Sequence, residues 1–303
     1  MNQFLFWILF NLFVLTMLAA DLWVFHRPAH TVKFREALSW SIGWILLAIA
    51  FGALVYFWRG RETAVEFTTG YIIELSLSVD NLFIFLLIFR YFRVPSAYQH
   101  KVLFWGIVGA LVMRGTFILV GIGLIQRFHW VIFVFGAFLV YSGIQLLGKK
   151  EAGVDPENNP MVRLFRRLIP ITEHYEGEKF VVRRAGFYAT PLLVVLVVVE
   201  TTDLLFATDS IPAVLAISLK PLVVYTSNVF AILGLRSLYF VLAGMMDVFH
   251  YLHYGLAVVL IFIGGKMLAS DYYQIPTVWA LGAVAGVLII SMAASVVKPR
   301  RER

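Results

Sequence analysis

The chain of 303 residues contains no cysteine, which excludes disulfides, thiolate metal sites and cysteine nucleophiles together. Charge is scarce as well: Asp, Glu, Lys and Arg make up 14% of residues, against about 25% in a soluble domain. Histidine is missing from the middle of every long apolar block. His26, His30, His100, His129, His174, His250 and His253 all fall in connections or near block ends, so no imidazole is available to a ligand set inside the blocks. What is present in excess is hydrophobic, 61% of residues, with a mean hydropathy of +0.85.

The apolar blocks run for roughly 18 to 26 residues, long enough to cross a hydrocarbon core of about 30 Å as helices and too continuous for barrel strands. The predicted fold class is an all-α polytopic membrane protein with about nine transmembrane helices, an estimate from block length. They lie near 4–25, 37–58, 67–89, 102–125, 130–147, 187–217, 222–246, 252–269 and 277–297. The first block resembles a secretory signal at Leu18-Ala19-Ala20, but Met1-Asn2-Gln3 has no basic side chain and the run is of spanning length, so a retained helix is expected.

Alternate connections are basic. Arg27, Lys33 and Arg35, then Arg90, Arg93 and Lys101, then eight residues between Lys149 and Arg184, then Lys298, Arg300, Arg301 and Arg303 put 18 of the 25 basic residues on one side. The positive-inside rule assigns that side to the cytoplasm, with the N-terminus outside and the C-terminus inside. The expected location is a bacterial cytoplasmic (inner) membrane. The net charge of +7 then reflects topology and lipid contact, and nucleic acid is not an expected partner.

Residues 1–66 are expected to hold two N-terminal helices, 67–147 a first three-helix repeat, 148–186 a cytoplasmic linker, 187–269 a second three-helix repeat, and 270–303 the last helix and a basic cytoplasmic tail. Within the linker, Arg163 to Ile169 reads either as a short amphipathic surface helix or as a solvated loop.

The repeat rests on paired motifs. Glu74-Leu75-Ser76-Leu77-Ser78-Val79-Asp80-Asn81 and Asp203-Leu204-Leu205-Phe206-Ala207-Thr208-Asp209-Ser210 share one pattern of acids, and the next block of each half carries an arginine, Arg114 and Arg236. Twenty-nine residues after each arginine stands a glycine, Gly143 and Gly265. With the topology above, the two units run in opposite senses, the inverted-repeat arrangement of secondary transporters, whose sites lie near the midplane.

Glu74, Asp80, Glu200, Asp203 and Asp209 all fall inside spans, where an Asp at a helix centre costs about 2.5 to 3.5 kcal/mol. Pairing with Arg114 and Arg236 offsets two of the five as purely structural ion pairs. Three remain to be explained by function, protonation or a bound cation; Lys266 is a further cationic candidate near a span end. Acids six residues apart sit about 120° from a common face on a straight helix, so both acid-bearing helices are expected to unwind or kink near Ser78 and Thr208, supported in the second by Pro212.

The predicted metal ligands are Asp80, Asp209, Glu74, Asp203, Glu200, Asn81 and Ser210, with Arg114 and Arg236 as supporting ion pairs and Asn228, Ser78 and Thr202 in an outer layer. Ser76 and Thr201 offer further hydroxyls. A site built from oxygen alone favours Mg²⁺, Ca²⁺ or Mn²⁺ over Zn²⁺ or Cu²⁺. Asp21 and the His250/His253 pair read as helix-end and interfacial groups.

At Gly70-Tyr71-Ile72-Ile73-Glu74 through Asp80-Asn81, at Glu200-Thr201-Thr202-Asp203 through Asp209-Ser210-Ile211-Pro212-Ala213, and at Asn228 to Arg236, the chain resembles the TerC family of integral membrane proteins, in its Alx-like, manganese-linked branch. That resemblance implies export of Mn²⁺ as substrate, with no resident cofactor, no enzymatic activity, proton coupling as an open question, and contact with the secretion machinery in some relatives. Manganese over magnesium or calcium rests on the resemblance alone.

The alternative is a non-transporting membrane partner that aids metalation or insertion of secreted proteins. An intramembrane aspartyl protease is disfavoured because its Tyr-Asp and Gly-x-Gly-Asp pair is absent.

Overall fold

The computed structural model describes residues 3–25, 34–128, 130–148, 169–183, 186–243, 251–272 and 275–297. In lipid every backbone polar group needs an internal partner, which long apolar segments achieve as helices. They form α1 (Gln3–Phe25), α2 (Phe34–Arg59), α3 (Arg61–Tyr91), α4 (Ser96–Arg127) and α5 (Val131–Gly148) in the first half. After a two-stranded hairpin come α6 (Pro191–Leu215), α7 (Pro221–Leu233), α8 (Leu235–Ala243), α9 (Leu252–Leu268) and α10 (Thr277–Val297).

Each predicted apolar block coincides with one of these helices or with the α7–α8 pair. By length and hydropathy, α2, α3, α4, α6 and α10 qualify as membrane spans, and the α7–α8 pair, bent by 42°, makes a sixth. The apolar cores of α1, α5 and α9 are shorter.

Local sequence sets the ends. Gly60, at φ +90°, is the single residue between α2 and α3, a backbone conformation that L side chains rarely adopt. Pro191 and Pro221 open α6 and α7, where a missing N–H costs nothing. α3 starts six residues ahead of its expected position at 67, and so takes in Glu66.

One expectation needs correction. α3 and α6 are continuous helices through Ser78 and Thr208, with no unwinding. Pro212 lies inside α6, and Thr208 turns its hydroxyl back to the Leu205 carbonyl at 2.5 Å. The break falls instead at Gly234, between α7 and α8, two residues before Arg236.

In the connection 148–186, residues 149–168, including Arg163 to Leu168, lie outside the described residues. From Ile169 onward the connection is folded against the helices. β1 (Val181–Arg183) pairs antiparallel with β2 (Phe187–Ala189), and Ile171, Tyr175 and Phe180 pack against the main hydrophobic core. The Tyr175 hydroxyl donates to the Phe92 carbonyl at 2.8 Å, and Lys101 Nζ donates to the Glu178 carbonyl at 2.7 Å. Burial pushes the Tyr175 phenol above its ordinary pKa, which keeps it protonated as a donor.

These contacts fix helix direction. The C-terminal end of α3 lies beside the hairpin that leads into α6, whereas the N-terminal end of α3 meets the turn after α6 through Glu66, Ser218 and Lys220. α3 and α6 are therefore antiparallel. α3 packs on both α6 and α7, α4 packs on α6 and α7, and α5 packs along α9.

The N-terminal pair is held by rings. Phe51 of α2 lies 5.7 Å from Phe10 of α1, 4.8 Å from Phe230 of α7 and 5.2 Å from Phe67 of α3, measured between centroids. One polar contact joins this apolar cluster: Tyr225 donates to Asn11 Oδ1 at 2.9 Å.

The α5–α9 contact depends on small residues, as helix pairs in lipid commonly do. A Cβ at Gly264 would lie 2.6 Å from the Gly136 carbonyl oxygen and 2.8 Å from the Val140 nitrogen, while a Cβ at Gly265 would meet nothing within 4 Å. Gly143 is packed against Ala257 and Ile261, so the two glycines matched in sequence do different work. Gly264→Ala is expected to destabilise the protein by about 1–3 kcal/mol through overpacking. Thermal unfolding in detergent checks this, with Gly265→Ala expected to match the parent.

Candidate functional site at the helix crossing

Glu74 stands eight residues into the membrane from Glu66 on α3, a rise of about 12 Å. Asp203 occupies the middle of α6. Between them lies Arg114 of α4, 1% exposed. Its Nη1 pairs with Glu74 Oε1, its Nη2 donates to Asp203 Oδ1 at 3.1 Å, and its Nε reaches Asp203 Oδ2 at 3.5 Å. Nη1 also donates to Ser210 Oγ and to Asn228 Oδ1, each at 3.3 Å. Asn228 completes the ring by donating from Nδ2 to Glu74 Oε2 at 3.0 Å.

Four helices thus contribute to one buried cluster: α3 gives Glu74, α4 gives Arg114, α6 gives Asp203 and Ser210, and α7 gives Asn228. The guanidinium is suited to this because its planar fork carries five donors and stays charged at any physiological pH. The sequence pattern suggested one arginine for one acid. The structure instead gives a single arginine from the first half to an acid from each half.

The other predicted residues divide. Asp209 is half-buried on a different side of α6 and accepts a hydrogen bond from Ser142 of α5 at 2.8 Å. The 120° offset between Asp203 and Asp209 is resolved by sending them to different neighbours, so α6 needs no unwinding to serve both. Glu200, half-buried, fills the space that a Cβ at Gly109 of α4 would take, and lies close enough to Asp203 to feel its charge. Glu200 makes no hydrogen bond or ion pair among the described residues.

Ser78 Oγ and Asn81 Nδ2 are buried without hydrogen-bond partners among the described residues. The side chain of Asp80 lies outside the described residues, as do those of Asp21 and His253 and the whole of His250. Ser76, Thr201 and Thr202 donate to the Ile72, Val197 and Val198 carbonyls of their own helices, so these hydroxyls do not reach the cluster. Arg236 is 2% exposed and lines a small cavity with Asp203, between walls that include Leu82, Phe85, Leu103 and Gly106. Among the described residues, no three carboxylate or imidazole side chains converge as a ready-made metal cage.

Some participants are legible in sequence only in part or not at all. Asn228, expected in an outer layer, bonds directly to both Glu74 and Arg114. Ser142 and Gly109 gave no signal beyond being small residues in apolar spans. Glu66 was assigned to the connection before α3, although it is 6% exposed and holds Ser218 and Lys220.

The sequence model of the integral membrane protein TerC family matches residues 59–303. The chain belongs to the TerC family. This TerC-family chain is 49% identical over 295 residues to an uncharacterized membrane protein of Myxococcus xanthus, covering 97% of this chain and 92% of that one. It is 46% identical over 298 residues to a protein of Salmonella typhi named putative membrane-bound redox modulator Alx, covering 95% and 92%. The Escherichia coli K12 protein of the same name is 44% identical over 299 residues, covering 95% and 92%. No solved structure matches the chain. The family match begins at α3, so α1 and α2 lie almost wholly outside it, although these relatives span them.

Removing the guanidinium would leave two buried carboxylates unpaired, which costs about 3–5 kcal/mol for a broken buried pair. Arg114→Leu is therefore expected to lower the thermal midpoint strongly, and Arg114→Lys to recover only part of it, because an ammonium cannot span both carboxylates and Asn228. Adding Glu74→Gln to Arg114→Leu is expected to restore stability relative to Arg114→Leu alone, as a double-mutant cycle in detergent would read.

Proposed function

We propose that this TerC-family protein is a transporter that exports a divalent metal cation, with Mn²⁺ as the preferred cargo, through the cluster where α3, α4, α6 and α7 cross. The observation that carries the reading is the charge at that crossing. Glu74, Asp203 and Glu200 set three carboxylates around the guanidinium of Arg114, with Arg236 lining the cavity beside Asp203. When all are ionised the carboxylates outnumber Arg114 by two and both arginines together by one, an excess of negative charge that draws in a cation. A chain that needed only structural ion pairs has no use for that excess in a low-dielectric interior.

In this reading Arg114 is a tethered counter-cation. It holds Glu74 and Asp203 together when no metal is bound and swings off one of them as the metal enters. Asp80, Asn81 and Ser210 supply oxygen from the same two helices, Ser78 adds a buried hydroxyl, and Asp209, which faces Ser142 of α5 away from the cluster, is assigned to the path of the ion. Oxygen ligands favour a hard cation; the preference for manganese comes from the family resemblance. Glu200, without a cationic partner among the described residues, is the group assigned to carry a proton in exchange. The two halves act as inverted repeats, consistent with the antiparallel α3 and α6, and the basic connections set the hairpin side in the cytoplasm of a bacterial inner membrane.

The redox wording in the names of the Alx relatives does not translate into thiol chemistry here, because this chain has no cysteine. Any redox role carried over from them acts through what the chain moves.

The test is flux into proteoliposomes, with Mn²⁺, Mg²⁺ and Ca²⁺ offered in turn across imposed proton and sodium gradients. Mn²⁺ flux driven by a proton gradient is expected. Glu74→Gln, Asp203→Asn, Asp80→Asn and Asp209→Asn are each expected to lower it by at least about tenfold, the low end for disturbing a metal site. Absence of flux for every cation would sink the reading and leave the membrane-partner alternative.

A further inference from the structure

A second buried acid lies outside the cluster. Glu66, on the first turns of α3, accepts from the Ser218 hydroxyl at 2.9 Å on one oxygen and from Lys220 Nζ at 3.0 Å on the other. Ser218 Oγ in turn accepts from the Lys220 backbone N–H at 3.1 Å. The whole turn between α6 and α7 is thereby organised around one carboxylate. Lys220 also lies 3.6 Å from Glu62, and Lys266, from the last turn of α9, is within electrostatic reach of Glu66.

The register of this group relative to the cluster is informative. Glu66 precedes Glu74 by eight residues on α3, and Lys220, the residue that caps the start of α7, precedes Asn228 by eight. The Glu66–Lys220 pair therefore stands about 12 Å from the Glu74–Asn228 pair along one helix interface. Between the two pairs the helices touch: a Cβ at Gly70 would lie 3.0 Å from Ser227 Oγ and 3.3 Å from a Val214 methyl of α6. Thr69 beside it is fully buried.

We propose that Glu66, Ser218 and Lys220 form an ionic latch that closes the membrane face where α3 begins, and that the cluster is reached from that face only when the latch parts. The latch ties α3 to the one turn shared by α6 and α7, the helices that carry Asp203 and Asn228. Releasing it frees at once the two helices that pack Asp203 and Asn228 around Arg114 and Glu74. At the opposite face the ends of α3 and α4 are held by Tyr175 and Lys101 contacts to the hairpin, through backbone carbonyls. One end is thus closed by charge and the other by neutral or singly charged hydrogen bonds. The role of the latch as a gate rests on the transporter reading; its closure does not.

The absence of cysteine makes the test direct. In liposomes, Thr69→Cys provides a single thiol behind the latch, read with a membrane-impermeant maleimide. Labelling of Thr69→Cys alone is expected to be slow. Adding Lys220→Met or Glu66→Gln is expected to speed it by about tenfold, equivalent to ~1.4 kcal/mol in the opening equilibrium. The charge-swapped pair Glu66→Lys with Lys220→Glu is expected to return it towards the slow rate. Ser218→Ala, which deletes only a hydroxyl, is expected to give a smaller rise and serves if a charge variant fails to elute as a monodisperse species. Equal labelling across all variants, or a swapped pair as fast as the single changes, would overturn the latch. Labelling as expected without metal flux would overturn the transporter reading and leave the latch standing.

Discussion

One guanidinium holds the centre of this protein together. A carboxylate in a hydrocarbon slab is tolerated only when paired, protonated or wet, and Glu74 and Asp203 belong to helices that do not follow one another in the chain. Arg114 is the group that lets both be charged in one place. The packing of α3, α4, α6 and α7 is arranged around its reach, since a guanidinium must lie within hydrogen-bond distance of every acceptor that it serves. The amide of Asn228 takes up the remaining oxygen of Glu74, so that the pairing is a closed ring. Apolar contact alone would not specify this crossing, because lipid tails compete with every leucine.

How much of this could be read from residues alone depended on which property was being read. The helices follow from block length, because the bilayer imposes a ruler on the sequence. The importance of Glu74, Asp203, Arg114 and Asn228 followed from cost: a charged or amide group at that depth demands a reason. Partner choice did not follow. The sequence lets Arg114 and Arg236 offset two of the five acids without saying which, whereas the structure gives Arg114 an acid from each half, since proximity in a bundle is set by helix direction and crossing.

The expected kinks illustrate a different limit. The spacing of six between Asp203 and Asp209 calls for an unwound or kinked helix only if both acids share one site. Ser142 removed the premise by giving Asp209 a partner of its own. The hairpin after Ile169 was hidden for another reason: its anchors are backbone carbonyls at Phe92 and Glu178, which no side-chain pattern reveals. Glu66 sits at a helix end, where an acid is ordinary in sequence and only its burial sets it apart.

The bend at Gly234 has a mechanical meaning. Arg114 rides on a helix of 32 residues without interruption, whereas Arg236 follows directly after a 42° joint. Two levers with matched charges have therefore been given unequal stiffness. A push on the rigid one is transmitted from one face of the membrane to the other, while a push on the jointed one is absorbed near its own arginine. The joint lies at Gly234, whose own backbone angles stay helical (φ −78°, ψ −12°), so the asymmetry between the two halves belongs to the meeting of α7 with α8 and not to a strained residue.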